Sequence, residues 1–144
     1  MTVNAAYPQA IADADNRHFL EEWREGRLAF QACGSCGRKF FYARPLCPHC
    51  WSDALAWEAA GGEGEVVSYS LVYRPNHPSF LGEVPIALAE IRLREGVTLL
   101  ARVVGAAPES LRSGMSVRLL SKSEAGRYPL PTFRPRQSGP GHDR

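Results

Sequence analysis

Apolar positions change their spacing twice along this chain. Between Asn16 and Arg27, Phe19, Leu20 and Trp23 fall at i, i+1 and i+4 among Glu21, Glu22, Arg24 and Glu25, the spacing of a single buried stripe on an amphipathic helix. Asp15 or Asn16 stands where an N-cap is needed, and Gly26 where the helix must stop. Past the linker signal Gly61-Gly62-Glu63-Gly64 the period drops to two. Val67, Tyr69, Leu71 and Tyr73 share one face of a strand over 66–73. Ala87, Ala89, Ile91 and Leu93 share one face of a second over 86–94, opposite Glu90, Arg92 and Arg94. A third, over 97–104, follows the tight turn Glu95-Gly96, a fourth covers 116–121 and a fifth lies near 128–133. Four or five short strands with no strong helix among them predict a small antiparallel barrel or sandwich.

The stretch between helix and strands holds all four cysteines, in C-G-S-C-G-R-K-F-F-Y-A-R-P-L-C-P-H-C. Cys33/Cys36 and Cys47/Cys50 are two C-x-x-C turns ten residues apart. Each turn brings two thiolates to one ion, and four thiolates complete the closed tetrahedral shell of structural Zn²⁺. Gly34 and Gly37 give the first turn backbone freedom, and Pro48 stiffens the second. Iron satisfies the same donor set in a rubredoxin-like shell. Disulfides would need an oxidising compartment, and a redox C-x-x-C would stand alone beside a βαβ pattern that this chain lacks. His49 is the one alternative ligand, and its place inside the second turn predicts an exposed ring. A closed shell leaves no position for a reactive water, so the metal is expected to stabilise some thirty residues too few to form their own core.

The remaining sequence sets limits. At 144 residues a folded chain buries roughly 68–70% of its unfolded surface, enough for an ordinary core. No apolar run approaches the ~18 residues of a membrane span, and the start MTVNAAYPQAIADAD has no signal-peptide pattern, so a cytoplasmic protein is expected. The pattern divides into an N-terminal arm and helix (1–29), a zinc ribbon (30–60), a barrel (61–136) and a disordered tail (137–144). Arg74 to Gly82 is a long proline-punctuated loop, of the kind that more often carries function than not.

Taken in order, a helix bearing F-L-E-E-W-R-E-G-R-L, then C-G-S-C-G, then R-P-L-C-P-H-C with Leu55-Ala56-Trp57, then G-x-G-E-V-V-S-Y-S and a small barrel, resembles the DUF35 family. The resemblance covers about residues 15–136. It implies a rubredoxin-like four-cysteine zinc ribbon followed by a five-stranded OB-fold barrel. It also implies a non-catalytic subunit that assembles with a thiolase-like enzyme in a hetero-oligomer and helps bind CoA or its acyl-CoA substrate. The partner would then carry the catalytic residues.

The residues agree with a protein that has no catalytic set of its own. The cysteines are committed to metal, His18, His49, His77 and His142 are scattered, and no paired-carboxylate, phosphate-loop or H-E-x-x-H motif occurs. His77, in the proline-rich loop, is the best single candidate for chemistry. If CoA binds here, its phosphates call for basic donors, and Arg74, Arg102, Arg118, Lys122 and Arg127 are the candidates. The runner-up is an OB-fold that binds single-stranded nucleic acid. Tyr69, Tyr73, Tyr128 and Phe133 would stack bases, and the same cations, with Arg134 and Arg136, would meet phosphates. Against both, half the tyrosines are needed to fill a barrel and arginines commonly solvate outer strand faces. A third use is protein contact, through Phe19, Leu20 and Trp23 of the helix and Phe40, Phe41, Tyr42 and Trp51 of the ribbon. The formal charge of +2 is cancelled by four thiolates around one divalent ion, and near-neutral chains tend to associate.

Overall fold

A computed structural model describes residues 7–136. The expected disordered tail and the first six residues of the arm lie outside the described residues. The helix forms as α1, Arg17–Arg24, with Asn16 at its N-cap. Leu20 and Trp23 are buried and Phe19 packs on the main core. Gly26 ends the helix at φ +76, where the backbone must reverse beside Lys122. A Cβ there would meet the Lys122 backbone at 2.7 Å, so both conformation and space demand glycine.

The ribbon is a three-stranded antiparallel sheet in the order β2-β1-β3, with β1 at Leu28–Cys33, β2 at Lys39–Phe40 and β3 at Leu55–Ala60. The barrel contains β4 (Glu63–Val72), β5 (Ile86–Leu93), β6 (Thr98–Val103), β7 (Ser116–Leu119) and β8 (Thr132–Pro135). They close in the order β4-β5-β6-β8-β7, with β6 and β8 parallel and the other pairs antiparallel. The chain is thus mainly β with one N-terminal helix, a four-cysteine ribbon and a closed five-stranded OB-like barrel, as the pattern and the resemblance implied.

One strand keeps the expected phase, one shifts it and one starts late. On β5, Ala87, Ala89, Ile91 and Leu93 all point into the core, as alternation requires. On β4, Val66 opposes Ile91 and Ser68 opposes Glu90, so Val67 is an extra residue. This bulge resets the alternation. Val66 is buried, Val67 is half-buried, and Tyr69 and Tyr73 remain 42% and 63% exposed. The fifth strand begins later than the aromatic run suggests, because Lys122–Ala125 forms a short helix, α2, closed by a capping box of Ser121 and Glu124.

Ribbon and barrel share one core. Leu28, Phe30 and Phe41 from the ribbon side join Ile91, Leu99, Val117 and Phe133 of the barrel in one cluster. Phe19 meets Phe41 edge-on at 5.2 Å, and the Tyr42 hydroxyl accepts from the Leu100 N–H at 2.9 Å. Buried Gln31 clamps the intervening loop at one residue, donating to Arg44 O at 3.1 Å and accepting from Arg44 N at 2.9 Å. A second cluster joins Trp23 to Leu120 and Ala125. The apolar stripe of α1, expected as part of a partner surface, is therefore consumed within the chain, because α1 covers the gap between ribbon and barrel.

Candidate functional site

The two cysteine turns have almost the same hydrogen bonds. Gly37 N donates to Cys33 O and Trp51 N to Cys47 O, both at 2.9 Å; Cys33 N donates to Arg38 O at 2.9 Å and Cys47 N to Ser52 O at 2.8 Å. Within the turns, Ser35 N points at Cys33 Sγ and His49 N at Cys47 Sγ, each at 3.3 Å. The turns face each other, with Cys33 Sγ 3.6 Å from Cys50 Sγ and Cys36 Sγ 3.7 Å from Cys47 Sγ. All four sulfurs lie within 4.8 Å of one another. A tetrahedron with Zn–S near 2.3 Å has edges of about 3.8 Å, whereas a disulfide needs about 2.05 Å. The donor set fits a closed tetrahedral metal and not a pair of disulfides. His49 is outside the set: its ring is exposed and its Nδ1 accepts from Arg38 Nη1 at 3.1 Å.

Backbone N–H groups prepare the sulfurs for metal. Those of Cys36 and Ser35 bring the Cys33 thiol down to about 6. At Cys50 the Ser52 N–H favours thiolate, but burial and the three neighbouring thiols outweigh it and push this group up to about 12. A metal ion must displace protons to bind all four, so the bound metal is released as pH falls.

A second feature lies on the barrel. A cleft of about 500 Å³ is bordered by Val72, Pro75, Phe80, Ile86, Leu88 and Leu130, with Asn76, His77 and Arg102 among its polar groups. Its wall is the 74–83 loop, locked by a contact the sequence did not announce. Tyr7, in the supposed arm, is buried. It stacks on Phe80 at 5.0 Å and on Tyr128 at 6.1 Å, and its hydroxyl donates to Glu83. Glu83 also pairs with Arg102 at 2.8 Å and Arg127 at 3.4 Å. Both guanidiniums lie against the Tyr128 ring, 5.5 and 5.4 Å from its centroid.

Burial alone would raise the Glu83 carboxyl, but the Tyr7 hydroxyl and the guanidiniums of Arg102 and Arg127 together hold it below its ordinary 4.5. The clasp therefore contributes stability that is fully present above 4.5 and lost as pH falls through the lower folded-state value. The gap in urea midpoint between the wild type and Glu83→Gln should be widest near neutrality and close on acidification. A gap constant with pH would contradict the carboxylate's role.

The sequence-derived candidates fall in different places. Arg102 and Arg127 converge on Glu83. Arg74 adjoins Pro75 at the cleft wall and has no carboxylate partner among the described residues. Arg118 lines a separate groove with Gly62, Leu119 and Glu124, and Lys122 pairs with Glu25 at 2.6 Å. His77 accepts from Ser79 N at 3.1 Å and caps the Pro78–Glu83 turn, a structural task. The nucleic-acid reading is not favoured. Phe133 is fully buried and cannot stack a base, Arg134 is bonded to Glu124, and Arg136 pairs with Glu63 at 3.5 Å. Among the described residues no helix is long and apolar enough to cross a membrane.

Known proteins match both halves. Residues 20–56 match the family described as ChsH2, rubredoxin-like zinc ribbon domain, and residues 57–121 the one described as ChsH2, C-terminal OB-fold domain. A probable enoyl-CoA hydratase alpha subunit of Thermomonospora curvata is 35% identical over 131 residues, covering 91% of this chain and 40% of that protein. The chain thus spans about two fifths of that relative's length. A DUF35 domain-containing scaffold protein of Pyrococcus furiosus is 34% identical over 107 residues, 74% of each chain. Among solved structures, the Ltp2-ChsH2(DUF35) aldolase contains a chain 35% identical, superposing with a TM-score of 0.73 over 88% of this chain and 98% of that one. A DUF35 protein of unknown function from Sulfolobus solfataricus shares the fold, with a TM-score of 0.58 at 21% identity over 83% of each chain. With the four-sulfur ribbon joined to the closed barrel and these relatives matched along both, this chain belongs to the DUF35 family.

Proposed function

We propose that this chain is a non-catalytic, zinc-stabilised subunit of a thiolase-superfamily assembly, in which it helps bind CoA or an acyl-CoA substrate. The observation that carries this reading is the likeness, over nearly the full length, to the DUF35 component of an aldolase made of two named parts. The curated relatives support it, one called a scaffold protein and one a subunit of a CoA-ester enzyme. The chemistry of the chain is consistent with it. The sulfurs are committed to a closed shell, and His77 Nδ1, which meets both the N–H and the hydroxyl of Ser79, is committed to capping a turn.

For the CoA ester, the apolar cleft suits the pantetheine and acyl portions. Arg102 and Arg127 at its edge, with Arg74 on the loop, suit the phosphates. One carboxylate faces two guanidiniums at Glu83, so the corner retains a positive charge. Arg118 would serve a phosphate only from its separate groove, and Lys122 is paired with Glu25.

The test is purification of the chain with whatever it holds in its native cells, followed by assays of the complex and of each part. A thiolase-fold enzyme should accompany it, and thiolysis or aldol cleavage of acyl-CoA should occur with that enzyme present and never with this chain alone. Turnover that survives removal of every partner would overturn the accessory role.

A further inference from the structure

At the second cysteine turn the residue after Cys50 is Trp51, and its φ is +66. The equivalent residue of the first turn is Gly37, at φ +79. An added Cβ on Gly37 would find nothing within 4 Å, so glycine's advantage there is purely conformational. The shared hydrogen bonds force the same left-handed backbone on both positions, and a bulky L residue adopts it only under strain. Beyond the turn's own hydrogen bond from Trp51 N to Cys47 O, no packing among the described residues offsets that strain at Trp51, which is 76% exposed. Leu46, just before the same turn, is also exposed, at 40%. Arg38 lies against His49 at the turn's flank, and neither Arg38 nor Arg44 has a carboxylate partner among the described residues. A strained, outward-pointing tryptophan on a ribbon whose Arg38 and Arg44 have no carboxylate partner among the described residues fits an apolar pocket with a carboxylate at its rim.

Resting on the proposed function, we infer that Trp51 is the anchor by which the zinc ribbon docks the thiolase-fold subunit, inserting its ring into an apolar pocket there while Arg38 or Arg44 meets an acidic rim. The strain at Trp51 is compensated only in the complex.

Three variants of the zinc-loaded full chain test this against the thiolase-fold subunit with which it purifies. Trp51→Gly relieves the backbone and removes the ring. It should raise the melting temperature of the isolated chain by roughly 3–5 °C and weaken the complex on the order of 30-fold. Trp51→Ala removes the ring and keeps the strain, so it should weaken the complex equally without raising the melting temperature. Trp51→Phe should restore most of the affinity. A thiolase-fold complex whose affinity is unchanged in the Gly and Ala variants overturns the anchor and leaves the proposed function standing. A complex with some other class of enzyme overturns both. A Trp51→Gly chain that melts lower than wild type overturns the strain argument. Sedimentation showing a homodimer that Trp51→Gly dissociates would assign the ring to a second copy of this chain instead.

Discussion

Serine at Cys33, at Cys47 or at Cys36 is expected to release the metal, unfold residues 28–60 and lower the stability of the barrel with them. Structural zinc carries on the order of 10–16 kcal/mol of apparent binding free energy, comparable to the ~5–15 kcal/mol that holds a whole domain folded. The loss should not stop at the ribbon. Leu28 and Phe30 on β1 are 1% exposed and lie in the same cluster as the barrel residues, so a frayed ribbon bares the barrel's flank. Cys36 makes the test discriminating. Cys33 and Cys47 are buried, and their replacement would disturb packing whether or not they bind metal, whereas Cys36 is exposed. A packing role alone predicts little effect at Cys36. A ligand role predicts the same collapse as at the buried pair. Metal analysis and thermal melting decide: one zinc per wild-type chain, lost in all three variants. A Cys36→Ser protein that keeps its zinc and its melting temperature would remove the site from the account.

Trp23→Ala should be the most damaging change away from the metal. The ring is 1% exposed, packs with Leu120 and Ala125 against Val104, Leu119 and Tyr128, and donates from Nε1 to Tyr128 O at 3.0 Å. Truncation of a buried tryptophan costs about 3–5 kcal/mol, a large part of the stability of a chain this size. Trp23→Phe fills most of the volume but leaves the Tyr128 carbonyl without its donor, and should cost less, about 1–3 kcal/mol. Denaturant melts of the two variants separate packing from the hydrogen bond. Because Tyr128 also carries Arg102 and Arg127 on its ring, Trp23→Ala should loosen the clasp over the cleft. A Trp23→Ala midpoint within about 1 kcal/mol of wild type would show that α1 is not the brace between ribbon and barrel.

Much of the architecture was readable without coordinates. The four-cysteine cluster was, because two C-x-x-C turns so close together leave few other uses for four thiols. So was β5, whose four inward residues alternate without interruption, and the Glu95-Gly96 turn, where Gly96 takes φ +93. What escaped depended on partners distant in sequence. The bulge at Val67 is set by the need of β4 to match β5 on one edge and β7 on the other, which no local pattern records. Tyr7 looked like part of an unpatterned arm because its partners, Phe80, Glu83 and Tyr128, lie more than seventy residues away. Helix α2 has a local signal in the Ser121 to Glu124 capping box, but four residues are too few for a helical period to stand out beside the aromatic residues that follow.

The amino-acid sequence by itself determined the four-cysteine cluster, the N-terminal helix and most of the barrel strands, because thiol spacing and the periods of helix and strand are local properties. Only the tertiary structure decided which groups remained available for function. It turned the stripe of α1 and Phe133 inward, gathered Arg102 and Arg127 at Glu83 while leaving Arg118 and Lys122 elsewhere, and left Trp51 strained and outside. The physical reason is that exposure and ion pairing belong to the packed assembly of all the elements, and a side chain's own neighbours in sequence carry no record of which surfaces that packing will cover.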